Sequence, residues 1–344
     1  MAIQQRHIVI RLALAFVPVA TGLLLIIILY AGYMTHLVTH PPRMPEIVTP
    51  QHYAELTGSS LGWSEEKWAN KDRTAASGWL LRGTLGAPAI VLAHGYGRNR
   101  SELLDMGVRL RNAGYTVLLP DLRGHGASPV RGTSLGVDEG EDLLDAIGHL
   151  KSLKVNDVIP VVDQARIGIY GASLGGYAAL VAAQRSTDVR AVAVDAVYGD
   201  PRFLARHLVR EKFGRAGQWM EGLVSNGLRF YLGSKMEKAS VEKIIGNMGN
   251  LKVWFITSSN AGVYDRTTRD LFARSGGQKE LINVDQSRLD LVTGGVQAAY
   301  DDRLVAFFRR EIPREGLTPV ENAGETAASA DTEKQENKVA RVTR

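Results

Sequence analysis

Six short apolar runs, separated by segments of helical period, constrain this 344-residue chain more than any other feature. PAIVLAH (88–94), TVLLP (116–120), RIGIY (166–170), VRAVAVD (189–195), KVWFIT (252–257) and ELINV (280–284) are rich in Val and Ile and do not alternate with polar residues. A strand that is apolar on both faces must be covered on both faces, the situation of a parallel sheet. Between the runs lie SELLDMGVRLRNAG (101–114), DEGEDLLDAIGHLKSL (138–153) and SLGGYAALVAAQR (173–185), each patterned as a helix. Strands alternating with helices predict a doubly wound α/β sheet. No internal repeat of solenoid length interrupts the pattern.

The N-terminus carries a different signal. Residues 12–34 contain no charged side chain, enough for a helix to cross ~30 Å of hydrocarbon. Tyr30 and Tyr33 fall where an interfacial aromatic belt would lie. A cleaved signal peptide is the competing reading. Against it, the run exceeds the ~7–15 residues of a signal's apolar segment, and no small-x-small site closes it. Arg6, His7 and Arg11 precede the run without an acidic residue. The positive-inside rule then puts residues 1–11 in the cytoplasm and the rest outside, in the periplasm if the source is bacterial. The expected organisation is a single transmembrane helix (12–34), a Pro-rich juxtamembrane linker (35–60), one α/β domain (61–314) and a disordered tail (315–344). In the tail the composition shifts to Glu, Ala, Thr, Asn and Lys.

Composition narrows the chemistry. The chain has no Cys, which excludes disulfide scaffolds, thiolate metal sites and cysteine nucleophiles together. G-x-G-x-x-G is absent from the first strand–helix turn, so no dinucleotide is expected, and nothing points to a metal or an organic cofactor. Between 200 and 250 lies an insertion in which residues 202–238 carry eight Lys/Arg against three Glu. Arg202, Arg206 and Arg210 share one helix face. They form either a solvated face or a surface that meets anionic lipid headgroups or acidic substrates. Nucleic acid is not expected of a domain on an extracytoplasmic anchor.

The reactive constellation begins at Gly171-Ala172-Ser173-Leu174-Gly175, which follows RIGIY and opens a helix. In that context G-x-S-x-G reads as a nucleophile elbow, with Ser173 at the helix N-terminus. His94-Gly95-Tyr96-Gly97 follows the first core strand. The N–H of Tyr96 with that of Leu174 would supply a two-donor oxyanion hole. His94 and His125 read as loop-bracing side chains.

HGYGRNRSE, GYTVLLPDLRGHGAS, GVDEGEDLLDAIGHL and GASLGGYAA, in this order, resemble the α/β-hydrolase superfamily. More narrowly, they are similar to its membrane-anchored branch of lysophospholipases, monoglyceride lipases and serine aminopeptidases. The resemblance spans roughly residues 61–310 and implies an α/β-hydrolase fold with a helical lid at 200–250. It also implies a Ser–Asp–His triad acting on a carboxylic ester or other acyl or lipid-like small molecule. Its acid follows the next strand, which matches Asp265. Asp270, and Asp195 one strand earlier, are the alternatives, and Asp265 as a helix cap is the plain structural reading.

The triad histidine should then lie beside the LDL turn. The aligned residue is Arg288, and no histidine follows His207. A guanidinium stays protonated above pH ~12 and cannot act as the base. Removing the base from such a triad costs on the order of 10⁶ in turnover. Three readings follow: a hydrolase whose base comes from elsewhere, with His207 of the lid the only later candidate; a non-catalytic homologue that binds a lipid or acyl ligand, or a partner protein; or a membrane-associated scaffold. Arg288 is expected to pair with Asp265 or to bind an anionic ligand near Ser173.

Overall fold

The computed structural model describes residues 2–258, 261–288 and 295–314, with side chains from Phe16 onward. The expected disordered tail and the LDL turn (289–291) lie outside the described residues. Helix α1 (Ala2–Thr39) leads into α2 (Pro50–Thr57). A hairpin of β1 (Trp63–Ala69) and β2 (Ala75–Leu81) precedes β3 (Ala87–Ala93), α3 (Leu104–Asn112), β4 (Thr116–Pro120) and α4 (Val137–Ser152). After the short β5 (Lys154–Val155) and β6 (Ile159–Pro160) come β7 (Val162–Ala172), α5 (Leu174–Arg185) and β8 (Val189–Asp195). The lid then contributes α6 (Pro201–Phe213), α7 (Arg215–Leu232), α8 (Lys235–Lys238) and α9 (Val241–Ile244). The domain closes with β9 (Lys252–Ser258), α10 (Val263–Arg274), β10 (Gln278–Val284) and α11 (Gly295–Glu311).

Eight strands form one sheet in the order β1-β2-β4-β3-β7-β8-β9-β10. From β4 to β10 every pairing is parallel, whereas β2 meets both β1 and β4 antiparallel. Burial explains the uninterrupted apolar runs. In β3, Ala89, Val91 and Ala93 face one core with α4 and α5, while Ile90 and Leu92 face the other with Met106 of α3 and Phe308 of α11. Each fully buried Leu or Ile contributes about 1.5–3 kcal/mol, so neither face can be left open. The hairpin went unrecognised because β1 reads WSEEKWA and buries none of its residues fully.

Residues 35–60 are not a loose linker. Helix α1 runs on to Thr39, with Met34 and Val38 buried in the domain core. Thr39 C=O accepts from Thr133 N–H at 2.7 Å. The chain beyond is stitched to the loop after β3: Asn99 Nδ2 donates to the carbonyls of Met44 and Pro45, and Ile47 N–H donates to Ser101 Oγ. α2 begins at a Thr49 cap whose Oγ1 accepts from His52 N–H. Among the described residues one helical stretch, Phe16–Thr39, is long and apolar enough to cross a membrane, with a mean hydropathy of 2.1. The basic stripe of the lid is partly neutralised within the domain. Arg202, Arg210 and Lys235 pair with Asp200, Glu221 and Asp138.

Candidate active site

The elbow is built by close approach. Gly175 lies so near β3 that a Cβ there would fall 2.2 Å from the Ala93 carbonyl oxygen. A Cβ on Gly171 would meet the Gly175 carbonyl oxygen at 2.2 Å. Only glycine permits this contact between elbow and sheet. Between them Ser173 adopts φ 48° and ψ −108°, a strained conformation for a residue with a Cβ, costing about 1–3 kcal/mol. The turn leaves Ser173 immediately before Leu174, the first residue of α5, where the helix dipole favours developing negative charge.

Ser173 lines a cavity of about 680 Å³ together with Tyr96, Glu102, His207, Tyr264 and Arg288. Tyr96 is held by its own side chain, whose hydroxyl donates to the Val38 carbonyl of α1 at 2.8 Å. Neither the Tyr96 nor the Leu174 N–H donates to any described turn, loop or cap acceptor. His94 is fully buried and braces the loop: its Nδ1 bonds the Gly95 carbonyl and its Nε2 accepts from Leu122 N–H. Burial pushes its imidazole down to about 4, so it is neutral. His125 packs edge-on against both His94 and Tyr96, and burial likewise lowers it to about 4.

The acid beside the elbow is Asp195, not Asp265. Asp265 sits in the first turn of α10, bonded to Thr257 Oγ1 and to Arg269, and does not line the cavity. Asp270, farther along the same helix, does not line it either. Asp195 ends β8, which is hydrogen-bonded to β7, and its carbonyl accepts from Ser173 N–H at 2.9 Å. Its carboxylate is fully buried. Oδ1 accepts from Ser287 Oγ at 3.0 Å, and Oδ2 accepts from Arg288 N–H at 2.8 Å and the Tyr300 hydroxyl at 2.9 Å. Burial pushes the Asp195 carboxyl up to about 6, against the pull of those donors and the Arg288 charge.

The expected Arg288–Asp265 pair does not form. The Arg288 guanidinium donates from Nη2 to Asp301 Oδ1 at 2.8 Å, and both side chains are buried. Burial works against its charge, but Asp301 and its other neighbours hold its pKa above the usual value. His207 lies on α6 with its ring edge-on to Tyr264 at 5.1 Å and its Nε2 3.9 Å from Glu211. Burial is the main cause of its lowered pKa, with Arg210 a smaller one. No hydrogen bond joins His207 to Ser173. The hydroxyl that reaches the Ser173 side chain belongs to Tyr264, whose pKa burial raises so that it remains a phenol. Tyr264 and Glu102 are site residues the sequence reading missed. Tyr264 lies in the first turn of α10 and Glu102 in that of a short helical turn, and no motif flags a tyrosine or an acid there.

A serine on a strained turn between a parallel strand and a helix, facing the loop that follows the first core strand, defines a nucleophile-elbow protein. The family model "Alpha/beta hydrolase family" matches residues 90–324, and the chain belongs to that family. Among curated proteins it is 30% identical over 145 residues to the polyketide transferase grgF of a Penicillium species, covering 41% of this chain and 47% of that one. It is 38% identical over 109 residues to the polyketide transferase af380 of Aspergillus fumigatus, covering 31% and 35%. The chain thus spans about half or less of the length of these relatives. Among solved structures, the Pyrococcus furiosus esterase Pf2001 superposes with TM-score 0.59 at 21% identity, covering 79% of this chain and 99% of the other. GrgF from Penicillium superposes with TM-score 0.57 at 21% identity, covering 73% and 99%.

Proposed function

We propose that the chain is a membrane-anchored serine hydrolase or acyl transferase that acts on an ester or thioester of a small, lipid-like acyl substrate through Ser173. The carrying observation is the strained Ser173 turn opening onto a cavity with Tyr96 beside it. Similar proteins named as an esterase and as polyketide transferases support the class. In this reading Ser173 attacks the acyl carbon, and the N–H groups of Tyr96 and Leu174 receive the oxyanion. Asp195 supports the loop where the triad histidine would stand, and Arg288 occupies that position. Asp265 is left with no part in the chemistry.

Fluorophosphonate labelling tests it. The native chain should label covalently, and Ser173→Ala should abolish the label. A native chain that stays unlabelled from pH 5 to 9 sinks the reading. It would favour the non-catalytic ligand-binding alternative, which Arg288 at the base position supports.

Retention of the anchor is supported by Met34 and Val38, whose side chains belong to the domain core. Cleavage after Val38 would strip the core of both, and cleavage between them would remove Met34. Tyr30 also donates from its hydroxyl to Met220 of the lid, and Gly227 of α7 packs on Thr35. By contrast, Phe16, Leu23–Leu29 and Tyr33 are exposed, as a lipid-facing surface would be. With the basic residues before the span, the N-terminus is cytoplasmic and the domain extracytoplasmic. Basic side chains of the lid that have no ion pair among the described residues, such as Arg215 and Arg229, then meet anionic headgroups. The full chain is expected to sediment with membranes, to resist alkaline carbonate and to be released by detergent. Release by carbonate alone would contradict an integral anchor.

A further inference from the structure

Two acidic side chains line the cavity among the described residues, Glu211 of α6 and Glu102, and the buried one is Glu102. Glu102 lies on the short helical turn Arg100–Leu103 that follows the oxyanion loop. That turn is fixed at its base, where Arg100 N–H donates to Asp121 Oδ1 at 2.9 Å and Asn99 caps Ser101 N–H at 3.0 Å. Glu102 lines the same cavity as Ser173, Tyr96 and Arg288. Its Oε2 is shielded from solvent and has no hydrogen-bond partner among the described residues. A buried polar atom left unpaired costs about 1–3 kcal/mol, so its retention in a reactive cavity calls for a reason.

We propose that Glu102 is the proton acceptor for Ser173, standing in for the absent triad imidazole. The inference rests on the serine-hydrolase reading. As the Ser173 hydroxyl oxygen bonds to the acyl carbon, its proton passes to Glu102 Oε2, and the carbonyl electron pair moves onto the oxyanion. Collapse breaks the carbon–oxygen ester bond, and the proton on Glu102 goes to the departing alkoxide, leaving an acyl-serine and a neutral alcohol. A water, or an acceptor alcohol, then gives its proton to Glu102 as it attacks. That proton returns to the Ser173 oxygen when the acyl group leaves.

The surroundings suit a carboxylate to this task. Burial pushes the Glu102 carboxyl up to about 7, Asp195 adds to the rise, and the charges of Arg98 and Arg288 hold it from going higher. Tyr170 of β7 belongs to the same cluster, and His207 and Glu211 of α6 face the cavity from the lid. A base poised near the working pH combines an available lone pair with useful basicity.

The test is the second-order rate constant of fluorophosphonate labelling from pH 5 to 9, on the full chain in detergent micelles. In the native chain the rate should rise about tenfold per pH unit up to about 7 and then level. Glu102→Gln should lower the plateau about 10²-fold or more and remove that step. Glu102→Asp, which keeps the carboxylate, should retain a step at reduced rate, and it decides the matter if the Gln variant does not fold. A Glu102→Gln chain that labels at the native rate with the native pH profile overturns the proposal but leaves the serine-hydrolase reading standing. So does a step that disappears in His207→Gln instead. A native chain that never labels overturns both.

Discussion

Asp195→Ala is expected to cost about 4 kcal/mol of stability near pH 4, and that deficit should shrink by roughly 2–3 kcal/mol by pH 8. The loss comes from three hydrogen bonds to the buried carboxyl, from Ser287 Oγ, Arg288 N–H and the Tyr300 hydroxyl, the last of which stays bonded to the Tyr170 hydroxyl at 2.9 Å. At roughly 1–1.5 kcal/mol for each buried hydrogen bond lost, the three come to about 4 kcal/mol. The pH dependence runs opposite to that of a typical salt-bridged aspartate. Burial raises the folded-state carboxyl from 3.8 to about 6. The folded chain therefore holds this proton more tightly than the unfolded chain. The native advantage is complete below about pH 4 and is lost as pH rises through about 6. Asp265→Ala should cost under about 1 kcal/mol, because it removes a partly exposed i,i+4 ion pair with Arg269 and one hydroxyl contact. Thermal denaturation of the two variants at pH 4.5 and 8 measures both statements. Equal losses, or a deficit that grows with pH at Asp195, would contradict this account of the buried carboxylate.

Five of the six strands, and the helices between them, are legible because a parallel strand covered on both faces has few positions to spare for a polar residue; ELINV is the exception, since β10 lies at the sheet edge and is largely exposed. PAIVLAH, for instance, is β3 almost to the residue. The elbow was legible for a related reason, since Gly171 and Gly175 are required by backbone contacts that any side chain would block. Which acid lies beside the elbow depends on strand order in the sheet, and that is not written in the strands. Asp195 and Asp265 both lie at or just after the end of a core strand, but only β8 is paired with β7, which leads into Ser173. Strand β1 is polar and half exposed, and β2 carries only a short apolar run, Trp79–Leu81, after polar and small residues, so the hairpin lacks the longer runs of the core strands. The linker was misjudged because Pro-rich composition describes local chain stiffness, whereas Asn99 and Ser101 reach across from another loop to order it. Glu102 was invisible for a different reason. An acidic side chain in a helix's first turn is what the helix dipole recruits in any protein, and only its unpaired oxygen inside the cavity distinguishes it.

Returning an imidazole to position 288 should raise Ser173 reactivity, provided the charge left behind is removed with it. The backbone there is already set: Arg288 N–H is bonded to Asp195 Oδ2, and the side chain enters the cavity that Ser173 lines. Among the described residues Asp195 Oδ1 accepts from Ser287 alone, which leaves a lone pair for an imidazole N–H. Arg288→His alone strips Asp301 of its 2.8 Å partner and leaves it Arg109 at 3.8 Å. Breaking a buried pair in this way costs about 3–5 kcal/mol. Adding Asp301→Asn removes the orphaned charge and should return the chain to within about 1–2 kcal/mol of native stability. Placed in the Glu102→Gln background, this double substitution isolates the new base. Labelling should recover at least about tenfold of the lost rate, with a step near the imidazole value of about 6.5. A folded chain with no recovery would mean that position 288 does not aim at Ser173. It would also detach Arg288 from the triad histidine's place.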